Sequence, residues 1–182
     1  MKNTEIIDVI LFGSVAREKK NASDTDIVVL FKKKINKNKE YDIRKIIEKY
    51  FKNISILSKT KLSIKEQTFD AREGILFEGI SLISGKNIAE DYGFKSFGLF
   101  KYNFNKWTKL QKTKFYHALN GRNNNIGISK SFNCIKLSDQ VILVPKTKID
   151  SFAEFLQVWN INFIYIPTLI PERMSRREIL EN

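Results

Sequence analysis

The chain has 182 residues, 42% of them hydrophobic, a formal net charge of +12 and one cysteine, Cys134. Such a chain can bury an ordinary core as one domain or two small ones, and a lone cysteine excludes an intramolecular disulfide. The charge favours a polyanionic partner, most simply RNA. No apolar run reaches the length of a membrane span, and the first residues lack a signal-peptide pattern. We therefore expect a cytoplasmic protein with no membrane partner.

Two short apolar runs near the start of the chain predict neighbouring buried strands. The first, residues 9–12, ends at Gly13, and the second, residues 27–31, begins just after Asp24 and Asp26. Residues i and i+2 of a strand point to one face, so the two carboxylates should project together. Like charges held so close repel unless a cation lies between them, and Mg²⁺ prefers oxygen ligands. The pattern predicts a magnesium site.

The turn between these strands suits a phosphate group. Gly13 has no Cβ to keep a phosphate away from the backbone, and Ser14 offers an N–H and a hydroxyl. A helix beginning at residues 14–19 would add the favourable field of its N-terminus. Taken alone, Asp24 and its polar neighbours are also ordinary turn residues, but two flanking strands favour a nucleotide site.

The spacing of these residues resembles a known signature. Gly13-Ser14, an interval of nine residues and Asp24-Thr25-Asp26 are similar to the motif of minimal nucleotidyltransferases in the DNA polymerase β superfamily. Val15-Ala16-Arg17 also matches that family, whereas Glu18 stands where the family usually has glycine. The resemblance extends over roughly the first half of the chain.

This resemblance implies a Mg²⁺-dependent transfer of a nucleotide from an NTP, with ATP as the first nucleotide to test. It implies that Asp24 and Asp26 are the catalytic residues and the metal ligands. It also implies that Gly13, Ser14 and Arg17 bind the nucleotide. The acceptor would be an RNA end, as in tRNA-modifying relatives, or a protein hydroxyl, as in antitoxins of this family that adenylylate a partner toxin.

One position departs from the family pattern. The family carries a third carboxylate on the next strand, and the matching run at residues 53–57 has Ser55 at that place. Glu66, Asp70 and Glu73 follow in a segment that we predict to be helical, so none replaces it by position. The alternatives to an enzyme are a non-catalytic RNA-binding protein that kept the fold, or an interaction subunit that works only with another chain.

The remaining elements of the first unit complete an α/β domain over residues 1–92, with the mixed sheet and helices typical of polymerase β-like nucleotidyltransferases. Ser63 and Glu66 stand at capping-box spacing and predict the start of a helix. The elements expected after the second strand are a charged loop at 32–40, an amphipathic helix at 41–51, a strand at 54–57, a helix at 63–78 and a strand at 81–84.

Residues 93–182 predict a second unit with the order βαββαβ, a ferredoxin-like α+β arrangement with helices on one side of an antiparallel sheet. Its expected elements are a strand at 99–104, a helix at 106–119, a loop at 120–127, strands at 132–137 and 140–145, a helix at 151–159 and a strand at 162–170. The final residues carry arginines and predict either a short docking helix or a disordered tail.

Positive charge is concentrated in this second unit. It holds 14 Lys and Arg against 6 Asp and Glu, a net charge of +8, whereas residues 1–92 have +4. The interleaved basic and aromatic residues suit phosphate contact and base stacking. The alternative is that the aromatic rings belong to the core and the lysines lie on the solvent-exposed face. Arg122 lies in a loop rich in asparagine and glycine that could wrap a phosphate or form a tight turn. The residues that carry the basic and aromatic pattern are Tyr102, Lys106, Trp107, Lys109, Lys112, Lys114 and Tyr116.

Overall fold

The computed structural model describes residues 5–18, 23–66 and 69–180, and the chain divides into two compact units between Tyr92 and Gly93. The first unit contains β1 (Ile6–Phe12), β2 (Thr25–Phe31), α1 (Lys37–Ile47), β3 (Ile54–Thr60), α2 (Arg72–Glu78), β4 (Ile80–Ser81) and α3 (Ile88–Asp91). The second contains β5 (Phe94–Tyr102), α4 (Lys109–Asn120), β6 (Gly121–Arg122), β7 (Asn125–Ile126), α5 (Ile128–Ser131), β8 (Ile135–Ser138), β9 (Val141–Pro145), α6 (Ile149–Val158), β10 (Phe163–Pro171) and α7 (Arg177–Leu180).

The first unit is a four-stranded mixed sheet in the order β3-β2-β1-β4. β1 runs antiparallel to β2 and β4, whereas β2 and β3 are parallel. Ile27 and Val29 of β2 face α1 and pack with Ile47, whereas Val28 packs with Ile75 of α2 on the opposite face. Because both faces of β2 are covered, its apolar residues form a continuous run, as the sequence indicated.

Several predicted boundaries in the first unit are wrong. The helix expected at residues 41–51 begins at Lys37 and ends at Ile47, because the Asn36 side chain accepts hydrogen bonds from the N–H groups of Asn38 and Lys39 and caps it. Part of the predicted charged loop is therefore helix. The strand expected at 81–84 is Ile80–Ser81, followed by a turn.

The single helix expected at residues 63–78 is also wrong. The chain instead forms a short 3₁₀ turn, Ser63–Lys65, and then the separate helix α2. Ser63 does not cap a long helix, because its hydroxyl accepts the N–H of Thr60 at 2.9 Å, and Glu66 has extended backbone angles that stop the turn. Residues 67–68 of that prediction lie outside the described residues.

The second unit contains an antiparallel sheet in the order β10-β5-β9-β8. When only the four strands of this sheet are numbered in chain order, the order is 4-1-3-2, that of a split βαβ arrangement. The mixed α/β fold class predicted for the chain is confirmed.

The two long helices of the second unit pack on one face of its sheet. Phe100 of β5 contacts Phe152 of α6, with ring centroids 5.1 Å apart, and Tyr102 contacts Phe115 of α4 at 5.7 Å. Alternate residues of β5 point to the opposite face, where Leu180 of α7 packs beside Phe97 in a smaller apolar cluster. The C-terminal segment is therefore a short docking helix up to residue 180.

Two elements of the second unit were not predicted. The loop expected at 120–127 is a small hairpin, β6 and β7, and the short helix α5 precedes β8. The expected strand at 99–104 begins earlier, at Phe94, and ends at Tyr102. The helix expected at 106–119 begins at Lys109, because Thr108 and Gln111 form a capping box.

β10 is an edge strand that contains two prolines. The N–H of Glu172, just beyond β10, donates to the carbonyl of Gly93 at 2.8 Å, so even-numbered residues direct their N–H groups towards β5. Odd-numbered residues, including Pro167 and Pro171, therefore face the open edge. In the described residues, no helix is long and apolar enough to span a membrane.

Candidate active site

Gly13 brings the turn after β1 against the carboxylate of Asp26. The backbone of Gly13 is left-handed, with φ of 76°, and Phe12 pairs with Asp26 across β1 and β2. A Cβ built at position 13 would lie 2.8 Å from Oδ2 of Asp26. Only glycine fits here without strain and without moving the carboxylate. The structure thus joins the glycine turn and the Asp-Thr-Asp segment, which the spacing had only suggested.

The segment that carries Asp24 is tied to the loop before β3. Buried Thr25 donates its hydroxyl to the carbonyl of Lys52 at 3.1 Å and its N–H to the carbonyl of Asn53 at 3.0 Å. The side-chain amide of Asn53 donates to the carbonyl of Ser23 at 3.0 Å. These bonds fix the start of β2, while the Asp24 side chain is exposed at its end.

Residues 14–18 form one tight turn, and the helix considered at 14–19 does not form there. The N–H of Arg17 donates to the carbonyl of Gly13 at 3.2 Å, and the N–H of Glu18 donates to Val15 at 3.0 Å. Glu18 then has a left-handed φ of 58°, which ends the helical path. Ser14 is half-buried at the start of this turn. Residue 19 lies outside the described residues.

Arg17 forms an ion pair with Glu78 at the end of α2. The two side chains are 22% and 14% exposed, so the pair is largely shielded from solvent. The ion pair fixes the position of the guanidinium group of Arg17, which belongs to the turn that begins at Gly13. The sequence did not indicate Glu78 as a partner, because 61 residues separate it from Arg17 and no local spacing reveals the contact.

β3 places Ser55 directly beside Asp26 in the parallel register. This is the position at which a third carboxylate was expected, and the Ser55 side chain is exposed. Over residues 5–18, 23–66 and 69–180, no group of three or more His, Cys, Asp or Glu side chains could hold a metal ion. The described part of the site therefore offers two carboxylates, Asp24 and Asp26.

Residues 1–87 match the family model described as polymerase beta, nucleotidyltransferase. The first unit is a polymerase beta-like nucleotidyltransferase domain. The family supports nucleotidyl transfer in general as its activity. The match ends before the second unit, and no curated protein or solved structure matches the chain.

The carboxylates of the nucleotidyltransferase domain fit a hard divalent cation. Asp26 is half-buried against the glycine turn, and Asp24 is exposed two residues earlier. Neither forms an ion pair with another described residue. Two uncompensated carboxylates are the donor type that Mg²⁺ binds while it keeps open positions for water and phosphate.

The aromatic residues beyond the nucleotidyltransferase domain that interleave with lysines are mainly core. The Tyr102 side chain is buried, and Trp107 is half-buried with its ring 5.5 Å from the ring of Phe104. Tyr116 is half-buried and contacts Phe115. Tyr102 therefore offers no stacking surface for a base. The packing favours the explanation in which these rings belong to the core and the lysines lie on the solvent-exposed face.

Proposed function

We propose that this protein is a Mg²⁺-dependent nucleotidyltransferase of the cytoplasm that transfers a nucleotide from an NTP to an acceptor hydroxyl on RNA. ATP is the first nucleotide to test, and a tRNA-like end is the first acceptor. The observation that carries the proposal is the contact between Gly13 and Asp26 in a domain of the polymerase beta family.

The reaction would form a bond between the acceptor oxygen and the α-phosphorus of the NTP and break the bond from that phosphorus to pyrophosphate. Asp24 and Asp26 would hold Mg²⁺, which when bound neutralises charge on the phosphate oxygens. The N–H groups and hydroxyl at Gly13 and Ser14 would receive the β- and γ-phosphates. Arg17 would add a cation beside the charge that develops on the leaving group.

The proposal of an RNA acceptor rests on charge. The second unit has a net charge of +8, and polyanions are the simplest partners of such a surface. A protein hydroxyl is the other acceptor class within this chemistry, as in antitoxins that adenylylate a toxin. The two acceptors differ in which macromolecule becomes labelled.

One observation favours a second candidate function, a non-catalytic RNA-binding protein. Ser55 lies beside Asp26 where the family has a third carboxylate. A site with two carboxylates can bind a metal nucleotide and still lack the group that would help to activate the acceptor hydroxyl.

The test is incubation of the full chain with Mg²⁺, total RNA and each NTP in turn, labelled on the α-phosphate. The variant Asp24→Asn/Asp26→Asn removes the proposed metal ligands with little change in shape. The matched control Asp42→Asn/Asp91→Asn removes two exposed carboxylates elsewhere in the same unit.

We expect the wild type and the control to label RNA and the Asp24→Asn/Asp26→Asn variant to lose at least about a hundredfold in rate. Label on a co-purified protein would assign the acceptor to protein. If no lane contains label while the wild type still binds RNA, the non-catalytic function replaces the enzyme.

A further inference from the structure

Acidic residues are missing from a long stretch of the second unit. Between residues 92 and 138 the sequence has nine Lys and Arg and no Asp or Glu. The stretch contains β5, α4, the β6–β7 hairpin and α5. Asp139 is the first carboxylate after it, and it pairs with Lys136 at 2.9 Å. Such a run leaves most of its cations without a nearby counter-charge.

Several of these cations are exposed and carry no ion pair within the described residues. Lys109 and Lys114 lie on the exposed side of α4, whose opposite side buries Phe115 and Leu119. Arg122 is exposed on the hairpin that follows α4 directly. We call Lys109, Lys114 and Arg122 the basic surface. It extends along α4, a helix of 12 residues that is about 18 Å long.

The hairpin that carries Arg122 is closed by a tight backbone contact between its two ends. A Cβ at Gly127 would lie 2.2 Å from the backbone nitrogen of Gly121, and a Cβ at Gly121 would lie 2.4 Å from the carbonyl oxygen of Asn125. The two glycines therefore let the ends of the hairpin touch, backbone against backbone. The hairpin is a fixed projection at the end of α4, which the sequence alone indicated only as a loop or a tight turn.

We propose that the basic surface holds the sugar-phosphate backbone of the RNA. This rests on the proposed function only in naming that RNA as the acceptor. Three cations that have no ion pair among the described residues are spread along one helix and its hairpin, and each can contact a phosphate group. Exposed Asn123 and Asn124 at the hairpin tip add amide donors and acceptors that suit ribose hydroxyls and base edges.

The same residues are less suited to an anionic membrane. A loop that enters a lipid surface presents large apolar or aromatic side chains at its tip, and the tip here is Asn123-Asn124. Polar tip residues beside cations favour nucleic acid over lipid.

The test compares binding of a labelled single-stranded RNA of mixed sequence by three forms of the full chain over a salt series. The first is the wild type, and the second is Lys109→Glu/Lys114→Glu/Arg122→Glu. The third, Lys61→Glu/Lys65→Glu/Lys86→Glu, makes the same change in net charge at exposed sites of the first unit. Equal unfolding midpoints would show that each variant is folded.

We expect the basic-surface variant to lose about tenfold to a hundredfold in RNA affinity and the control to lose much less. The slope of log K against log salt should fall in magnitude by about 2 for three lost phosphate contacts on a single strand. Equal losses in the two variants would assign binding to net charge and overturn the proposal. Binding to phosphatidylserine vesicles without binding to RNA would overturn it too.

Failure of this proposal is distinguishable from failure of the proposed function. If RNA is labelled equally well by the wild type and the basic-surface variant, the surface is not the RNA-binding site and the transferase stands. If neither RNA nor protein is labelled but the variant loses RNA affinity, the surface stands and the transferase falls.

Discussion

The cores of the two units are built from different side chains. In the first unit, β-branched residues such as Ile27 and Val29 fill the sheet beneath α1. In the second, Phe115 of α4 lies within 6.0 Å, centroid to centroid, of the rings of Trp107, Phe155 and Trp159. The candidate active site lies at an open end of the aliphatic sheet, outside its core. The aromatic residues of the second unit instead hold its fold together.

This difference predicts that changes at the candidate site mainly alter activity, whereas removal of a buried ring in the second unit mainly lowers stability. Both tryptophans, Trp107 and Trp159, lie in the second unit. Tryptophan fluorescence therefore reports the unfolding of the second unit alone, and nucleotidyl transfer reports changes at the candidate site. The two readouts separate the predictions below.

The largest expected effect is that of Phe115→Ala. Phe115 is fully buried and contacts several rings, so its removal should lower the free energy of unfolding by about 4 kcal/mol. Tryptophan fluorescence during urea unfolding measures the loss. Leu110→Ala, at a side chain of the same helix that is 64% exposed, is the control and should change stability by less than about 0.5 kcal/mol. Similar losses in the two variants would contradict the comparison.

Gly13→Ala should separate activity from stability. The new Cβ meets the Asp26 carboxylate, so we expect about a hundredfold loss in transfer rate and a strain of about 1–2 kcal/mol from the positive φ. Gly85→Ala is matched, because Gly85 has φ of 74° and no atom within 4 Å of its would-be Cβ. Gly85→Ala should carry the same strain, measured by far-UV circular dichroism during urea unfolding, and keep the transfer rate of the wild type. A transfer rate lowered equally by both variants would show that Asp26 contact is irrelevant.

Ser55→Asp tests whether a third carboxylate at this position increases activity. The new carboxylate would stand beside Asp26 in register, and we expect a gain of roughly tenfold in transfer rate or in Mg²⁺ affinity. Ser55→Asn has the same shape without the charge and should give no gain. If Ser55→Asp lowers the rate, the site is complete with its two carboxylates.

The smallest effect is that of Tyr102→Phe. The hydroxyl of Tyr102 is buried and has no hydrogen-bond partner among the described residues, so its removal should raise stability by up to about 1 kcal/mol. Burial, then Tyr116, Asp139 and Cys134, raise the pKa of Tyr102 above its ordinary value of 10.0.

The same pKa predicts a pH dependence. In the folded state the raised pKa keeps the Tyr102 proton bound, so stability is full below pH 10 and is lost as the pH rises above it. Tyr102→Phe should therefore lose less stability in alkali than the wild type, as measured by urea unfolding over a pH series. Equal alkaline losses in the two proteins would contradict this cause.

Much of the fold follows from local pattern. The βαββαβ order of the second unit is visible because each strand and helix carries its own apolar period. The boundaries of helices depend on hydrogen bonds of single side chains. Asn36 caps α1 and starts it earlier than predicted, whereas Ser63 accepts a hydrogen bond from Thr60 and does not cap a helix. Whether such a side chain caps a helix or stabilises a turn depends on the local backbone geometry, which the sequence alone does not show.

The candidate site also has some contacts that the sequence predicts and others that it does not. The meeting of Gly13 with Asp26 could be predicted, because two consecutive antiparallel strands bring the end of the first beside the start of the second. The ion pair of Arg17 with Glu78 and the anchoring of the Asp-Thr-Asp segment by Asn53 join residues far apart in the chain. These contacts depend on tertiary packing, for which a single sequence carries no local signal.

The edge of β10 has a consequence for the protein at high concentration. An open strand edge can recruit a strand from another molecule and begin aggregation. At Pro167 and Pro171 the outward positions lack the N–H that an added strand would need, which interrupts the hydrogen-bond ladder twice within nine residues. β10 can thus be long enough to complete its own sheet without templating the growth of a shared sheet between copies.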